Sequence, residues 1–257
     1  MRYRARLEYD GTGFRGFQVQ LEGRTVQGEL ESALSRLSGG VRVRVVGAGR
    51  TDAGVHAAGQ VIAFTYAGPL SKERLQRSLD GLLPADVAVG PLQRVRPDFQ
   101  PRREARTREY RYTIWNGPRS PLRERHALGV REALDTEAMI GAAEVLVGRH
   151  DFSAFGGWHR QPIRTLHRVG IRRTGRTITI DVVGDAFLRQ MVRSIVAALL
   201  RIGRGEATAE DLSAALRSDG RAFAGSIAPP HGLSLRRVTF GRVGDDGTED
   251  DDDDEDI

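Results

Sequence analysis

The chain has 257 residues, of which 39% are hydrophobic, with 39 Lys and Arg against 34 Asp and Glu for a formal net charge of +5 and no cysteine. This length supports one large core or two smaller ones. The missing cysteines exclude disulfides, thiolate nucleophiles, iron–sulfur clusters and cysteine zinc sites together.

The charge is divided along the chain. Asp245 to Asp256 holds ten acidic residues and no basic one, so without them 24 acids face 39 bases, about +15. A body so basic attracts polyanions, nucleic acid first. Lys72 is the only lysine. An Arg-rich surface offers planar forks for phosphates and faces for stacking on bases, and a GC-rich genome gives the same ratio. The tail over 244–257 is expected to be disordered. Two readings of it stay open, a solubilising run or an electrostatic competitor of RNA for the basic body.

In chain order, Tyr3 to Tyr9 alternates as a strand, and Asp10-Gly11-Thr12-Gly13 is a turn. Val26, Leu30, Ala33, Leu34 and Leu37 recur at helical spacing, with Thr25 placed as N-cap. Strands are expected over Val41–Val46 and Gln60–Tyr66, a helix from Ser71, and a strand over Val87–Val95. The second half reads as a strand Tyr110–Trp115, a helix Thr136–Val147 and a hairpin of Leu166–Arg173 with Thr177–Val183 around Thr174-Gly175. An apolar helix Ala186–Ile202 follows, then a helix Thr208–Arg217 opened by a Thr208…Asp211 capping box, and a strand Leu233–Phe240. The order β-α-β-β-α-β therefore occurs twice. It predicts an α+β fold of two ferredoxin-like halves forming a mostly antiparallel sheet with a central cleft. The expected division is 1–106, 107–243 and the tail. The apolar helix carries Arg189, Gln190, Arg193 and Arg201, too much charge for a bilayer span, and Met1-Arg2-Tyr3-Arg4 has no signal-peptide core. A cytoplasmic protein with no membrane partner is expected.

Three segments can carry chemistry. Gly47-Ala48-Gly49-Arg50-Thr51-Asp52-Ala53-Gly54-Val55-His56 holds one carboxylate and one guanidinium among three glycines. With Arg50 on the same side of an extended chain, Asp52 is either a reactive base or nucleophile or a turn cap with a surface partner. The block is not a dinucleotide fingerprint, since its glycines are spaced G-x-G-x-x-x-x-G. Next, five arginines from Arg102 to Arg111 run into a strand bearing Tyr110 and Tyr112. Cations interleaved with rings suit unpaired RNA. Tyr112 reads as core, and Tyr110 as either core or cleft. Finally, Arg193 lies among the apolar residues of the Ala186 helix, either snorkelling or paired with a carboxylate or phosphate. The six histidines show no metal spacing, and there is no Gly-x-Ser-x-Gly elbow or lysine phosphate loop. A metal-dependent hydrolase or deaminase is therefore not expected, and no cofactor is called for.

The glycine-rich block resembles the signature of the tRNA pseudouridine synthase A family. The resemblance continues through Glu8-Tyr9-Asp10-Gly11-Thr12, Gly16-Phe17-Gln18-Val19-Gln20, Arg108 to Ile114, Asp151-Phe152-Ser153-Ala154-Phe155, Phe187…Met191-Val192-Arg193 and Ala228-Pro229-Pro230-His231-Gly232-Leu233, in the family's order. It departs at Phe17, where the family commonly has Trp. The resemblance implies cofactor-free isomerisation of uridine to pseudouridine at positions 38–40 of the tRNA anticodon stem-loop. It implies Asp52 as the catalytic residue, Tyr110 stacked on the uracil, and Arg50 in the space of the flipped base. Arg193 is added as a partner of Asp52. A homodimer binding tRNA across both subunits is implied as well. The alternative is a catalytically silent RNA-binding module on the same scaffold.

Overall fold

The computed structural model describes residues 1–157, 159–217, 223 and 225–241. The predicted tail lies outside them. The N-terminal half comprises β1 (Arg2–Tyr9), α1 (Val26–Leu37), β2 (Val45–Gly47), β3 (His56–Thr65), α2 (Lys72–Leu82), β4 (Val87–Val89), β5 (Gln93–Arg94) and α3 (Pro101–Glu104). There follow β6 (Ala105–Asn116), β7 (Leu128–Val130), α4 (Thr136–Glu144), β8 (Gly148–Asp151), β9 (Ile163–Thr174), β10 (Thr177–Gly184), α5 (Met191–Gly203), α6 (Ala209–Arg217) and β11 (Leu233–Phe240).

The local signals act as expected at most helix starts. Thr25 accepts from Gly28 N at 3.2 Å and Ser71 from Arg74 N at 3.4 Å. Thr208 and Asp211 form the reciprocal capping box. The β9–β10 hairpin turns at Gly175, whose φ is +58°.

Several boundaries differ from the sequence reading. Of the strand expected over Val41–Val46 only Val45 and Val46 enter a ladder, which runs on to Gly47; Val43 is buried beyond its start. β3 begins at His56, inside the glycine-rich block. The strand expected over Val87–Val95 is split by Gly90-Pro91, since proline has no N–H for a ladder. α4 stops at Glu144, three residues short of the expected end. α5 begins at Met191, not Ala186, because Gln190 adopts φ +64° at its N-cap.

Among the described residues the strands form one sheet ordered β4-β1-β3-β11-β6-β10-β9-β8, with β2 on β3, β5 on β1 and β7 on β6. Each half thus has the ferredoxin-like order, β4-β1-β3-β2 and β11-β6-β10-β9, with antiparallel neighbours. The halves join where β11 pairs parallel with β3, Ser234 opposite His56 and Leu235 opposite Ala57. At this seam Gly59 faces the Arg236 carbonyl so closely that a Cβ would stand 1.9 Å from its oxygen. Only glycine permits that approach. β2 and β11 share one edge of β3, at residues 62–64 and 56–57. The chain from Gly47 to His56 therefore leaves and re-enters the sheet at the fork between the halves. One apolar cluster, from Tyr3 through Leu34, Phe64, Tyr112, Met139 and Ile195 to Val238, underlies both.

Candidate active site

The fork loop is fixed by side chains that grip its backbone. Gln60, fully buried on β3, accepts from Gly49 N at 3.2 Å and donates to Gly49 O at 2.9 Å. Arg108 on β6 donates to Ala48 O at 3.0 Å. Tyr9 on β1 meets the Thr51 hydroxyl at 2.8 Å. Thr51 O in turn accepts from Phe17 N at 3.1 Å. Phe17 is buried, and its ring lies so close to Gly47 that a Cβ there would sit 2.6 Å from it. Gly54, at φ +76°, then turns the chain toward β3.

On this frame Asp52 is half-buried. Its Oδ2 accepts from Nη1 of Arg193 at 3.2 Å, and Nε of Arg193 donates to Ala228 O at 2.7 Å. The structure therefore pairs Arg193, in the first turn of α5, with the Asp52 carboxylate. Tyr110 is buried; its ring packs edge-on against Phe187 at 5.1 Å, and its hydroxyl lies beside Gly49. Burial pushes its phenol up to about 12, against the pull of the Arg108 cation and with a further push from the Asp52 charge. Tyr110 is thus a protonated hydroxyl at neutral pH. Arg50 stands apart: it is exposed, with no carboxylate partner among the described residues. Partial desolvation and then the charge of Arg102 lower its pKa.

Two assignments change. Arg108, read as a phosphate-facing cation, is buried and donates to four backbone carbonyls, those of Ala48, Arg102, Ala105 and Asp185. Arg111 is committed to Asp181, with contacts of 2.7 and 3.0 Å. Tyr112 is core, as expected, with its hydroxyl on Pro229 O at 2.9 Å.

Asp10, His56 and His126 cluster beside a cavity of about 280 Å³ lined also by Arg111, Ser234 and Arg236. Their ligand atoms lie within 4.8 Å of one another, a grouping hidden from sequence spacing. Both His56 nitrogens are already engaged: Nδ1 accepts from Gly11 N at 3.0 Å, and Nε2 faces His231 O at 3.1 Å. Arg125 occupies Asp10 Oδ2 at 3.0 Å. The cluster therefore works as an anchor tying the turn after β1 to the end of the fork loop. Burial, then the neighbouring His126, lowers the His56 pKa. Burial raises Asp10, but the Thr12 hydroxyl and amide, with His56 and Arg125, outweigh it and leave the carboxyl at about 2.

A carboxylate paired with an arginine at a sheet fork, beside a buried tyrosine, is an arrangement of the kind that carboxylate chemistry uses. Comparison with known sequences narrows that class. A sequence model described as tRNA pseudouridine synthase matches residues 5–102 and 142–241. The chain is 43% identical over 245 residues to tRNA pseudouridine synthase A of Shouchella clausii, covering 94% of each chain. It is 44% identical over 244 residues to tRNA pseudouridine synthase A of Myxococcus xanthus, covering 93% of this chain and 92% of that one. Among solved structures, a chain in a crystal structure of a Cbf5-Nop10-Gar1 complex aligns at 14% identity and a TM-score of 0.38, over 91% of this chain and 48% of that one. The chain belongs to the tRNA pseudouridine synthase family and is, with it, an isomerase. No helix among the described residues is long and apolar enough to cross a membrane.

Proposed function

We propose that this protein converts uridine to pseudouridine at positions 38–40 of the tRNA anticodon stem-loop, with Asp52 as its catalytic residue. The observation that carries the reading is the 3.2 Å pairing of Arg193 with Asp52 on a backbone-clamped loop at the sheet fork. The reaction breaks the bond from ribose C1′ to uracil N1 and forms one from C1′ to C5. The C5 proton leaves and N1 gains one, so neither an oxidant nor a second substrate is consumed. Asp52 serves as the nucleophile on C1′ or C6, or as the base of a glycal route. Arg193 orients it through one fork of a guanidinium whose other side is fixed on Ala228 O.

Tyr110 offers a ring to the flipped uracil and, because its phenol is held protonated, a hydroxyl that donates. Extracting a paired or stacked base costs a few kcal/mol. Arg50, exposed and without a carboxylate partner among the described residues, fills the vacated space and offsets part of that cost. A homodimer carries the tRNA across two subunits, in the cytoplasm where the substrate is found. The test is pseudouridine mapping on an unmodified tRNA transcript. The expected result is modification confined to positions 38–40, and a loss of about 10³-fold or more in Asp52→Asn with tRNA binding retained. Turnover surviving in Asp52→Asn, or modification only elsewhere, overturns the assignment.

A further inference from the structure

Four arginines gathered at one edge of the fork loop have no carboxylate partner among the described residues: Arg50 on the loop, Arg102 and Arg103 on α3, and Arg106 at the start of β6. All four are exposed. The guanidinium of Arg108 brings their backbones to the loop, its Nη1 donating to Ala105 O, next to Arg106, at 3.1 Å. Nη2 of Arg108 donates both to Arg102 O at 2.8 Å and to Ala48 O at 3.0 Å, so the backbone of Arg102 stands beside the loop two residues from Arg50. Helix α3 also packs on β2 and β3.

The end of β11 lies at the same place. Phe240 pairs with Ala105, its ring is 5.5 Å from Phe99, and the ladder shifts register between Thr239 and Phe240, opposite Arg106. The last described residue, Gly241, therefore leaves the sheet beside the arginine cluster. The sequence continues over residues 242–257 with ten acidic residues and one basic residue, Arg242. Four extended residues reach about 14 Å, enough to bring Asp245 onto α3, which is itself only about 6 Å long. Tethering keeps the acidic run at an effective concentration on the order of millimolar at the cluster.

We propose that residues 245–256 dock on Arg50, Arg102, Arg103 and Arg106 as an intramolecular competitor of RNA at the mouth of the active site. An RNA that makes few contacts fails to displace the tail; one that engages the whole basic body succeeds. The tail thereby raises discrimination between substrate tRNA and other RNA without entering the chemistry. This proposal rests on the reading of Arg50 as an RNA contact, and its test separates the two.

The chain has no cysteine, so Thr248→Cys carries a single nitroxide label on the full-length protein. The expected result is paramagnetic broadening of the amide signals of Arg50 and of residues 102–106 at about 50 mM salt, lost at about 0.5 M. Broadening confined to another face, or none, overturns the docking, and this arm involves no RNA. In the second arm all ten acidic residues are replaced by Asn or Gln in the full chain. Binding of a non-substrate RNA then tightens about tenfold or more at low salt, the gain fades toward unity at about 0.5 M, and kcat on saturating tRNA is unchanged. Unchanged RNA affinity alongside positive broadening overturns the competition, and locates the failure in the RNA reading of Arg50.

Discussion

The ion pair at the centre of the site joins two segments held in opposite ways. The fork loop, Ala48 to His56, has little regular structure, yet side chains from β1, β3 and β6 bond directly to its backbone or to Thr51. The segment Ala186 to Arg193 is held by the start of its own helix and by two backbone bonds, from Gly157 N to Arg189 O at 3.2 Å and from Ala228 N to Arg193 O at 3.1 Å. Its joint is one left-handed residue, Gln190, and Arg193 is fixed at its tip by Ala228 O. One partner of the pair is thus immobilised by side chains that grip a loop, the other by a left-handed helix start and backbone partners around it. On the function proposed above, placing the reactive group on an externally clamped loop reconciles precision with the open backbone a large substrate needs.

The sharpest way to break the clamped side is Arg108→Met. Methionine keeps an unbranched apolar stem but leaves four buried or half-buried carbonyls without their donor. Unsatisfied groups cost about 1–3 kcal/mol each, against which stands the relief of burying no unpaired charge. The carbonyls win because they are four, and a stability loss of about 3 kcal/mol or more is expected in urea unfolding, with activity lost at assay temperature. A neutral result would show that water replaces the guanidinium and that the clamp is not what fixes the loop. The corresponding break on the other side is Arg193→Lys. An ammonium cannot span Ala228 O and Asp52 Oδ2 as the guanidinium does. Turnover is expected to fall about 10- to 100-fold, equal to about 1.4–2.7 kcal/mol, at nearly unchanged KM and with a smaller stability change than in the first variant. A fall in tRNA affinity without a fall in kcat would move Arg193 from orienting Asp52 to contacting RNA.

The two sides also differed in how far the sequence revealed them. The doubled element order follows from apolar periodicity and capping residues, and most elements lie within a few residues of expectation because each signal is local. The pairing of Arg193 with Asp52 spans 141 positions in the chain, and only the resemblance to a family suggested it. The clamp was missed although it left a trace. Arg108 is in phase with Tyr110, Tyr112 and Ile114, the inward positions of β6, so its alternation already marked it as buried. Gln60 sits likewise on a strand with few other polar residues. An inward polar residue on an apolar face must find partners, and those partners are loop carbonyls that no spacing rule exposes. The late start of the apolar helix was hidden for the opposite reason. Residues 186–190 keep the hydrophobic pattern, and nothing in the identity of Gln190 announces φ +64°.

Acid provides a graded test of the clamped side. Burial, with His126, makes neutral His56 the form the fold prefers, so the folded chain takes up this proton less readily than the unfolded one. The resulting stabilisation is complete above the ordinary value of 6.5 and is lost as the pH falls through it. Each unit of pH below that point removes up to about 1.4 kcal/mol per such proton. His231, likewise lowered by burial, adds to the same slope, and Asp10 follows between 3.8 and about 2. In His56→Asn, whose carbonyl can still accept from Gly11 N, the slope of stability between pH 6.5 and 5 is expected to shrink. An unchanged slope would assign the acid sensitivity to His231 instead.

The smallest expected effect lies in the joint on the other side. A non-glycine residue in the left-handed region carries about 1–2 kcal/mol of strain. Gln190→Gly removes that strain but adds about 0.5–1 kcal/mol of chain entropy to the unfolded state. The two nearly cancel, so a midpoint shift of only about 0.5 kcal/mol toward greater stability is expected. Gln190→Val, whose branched side chain tolerates this conformation least, is expected to lose about 1–2 kcal/mol and to loosen Arg193 with it. The pair of variants separates strain from packing: both substitutions remove the carboxamide, and only one relieves the backbone. If both destabilise equally, the Gln190 side chain, not its backbone angle, sets the joint. The register of α5 would then be fixed by packing against the core, as the fork loop is fixed by its clamps, and the contrast between the two segments would disappear.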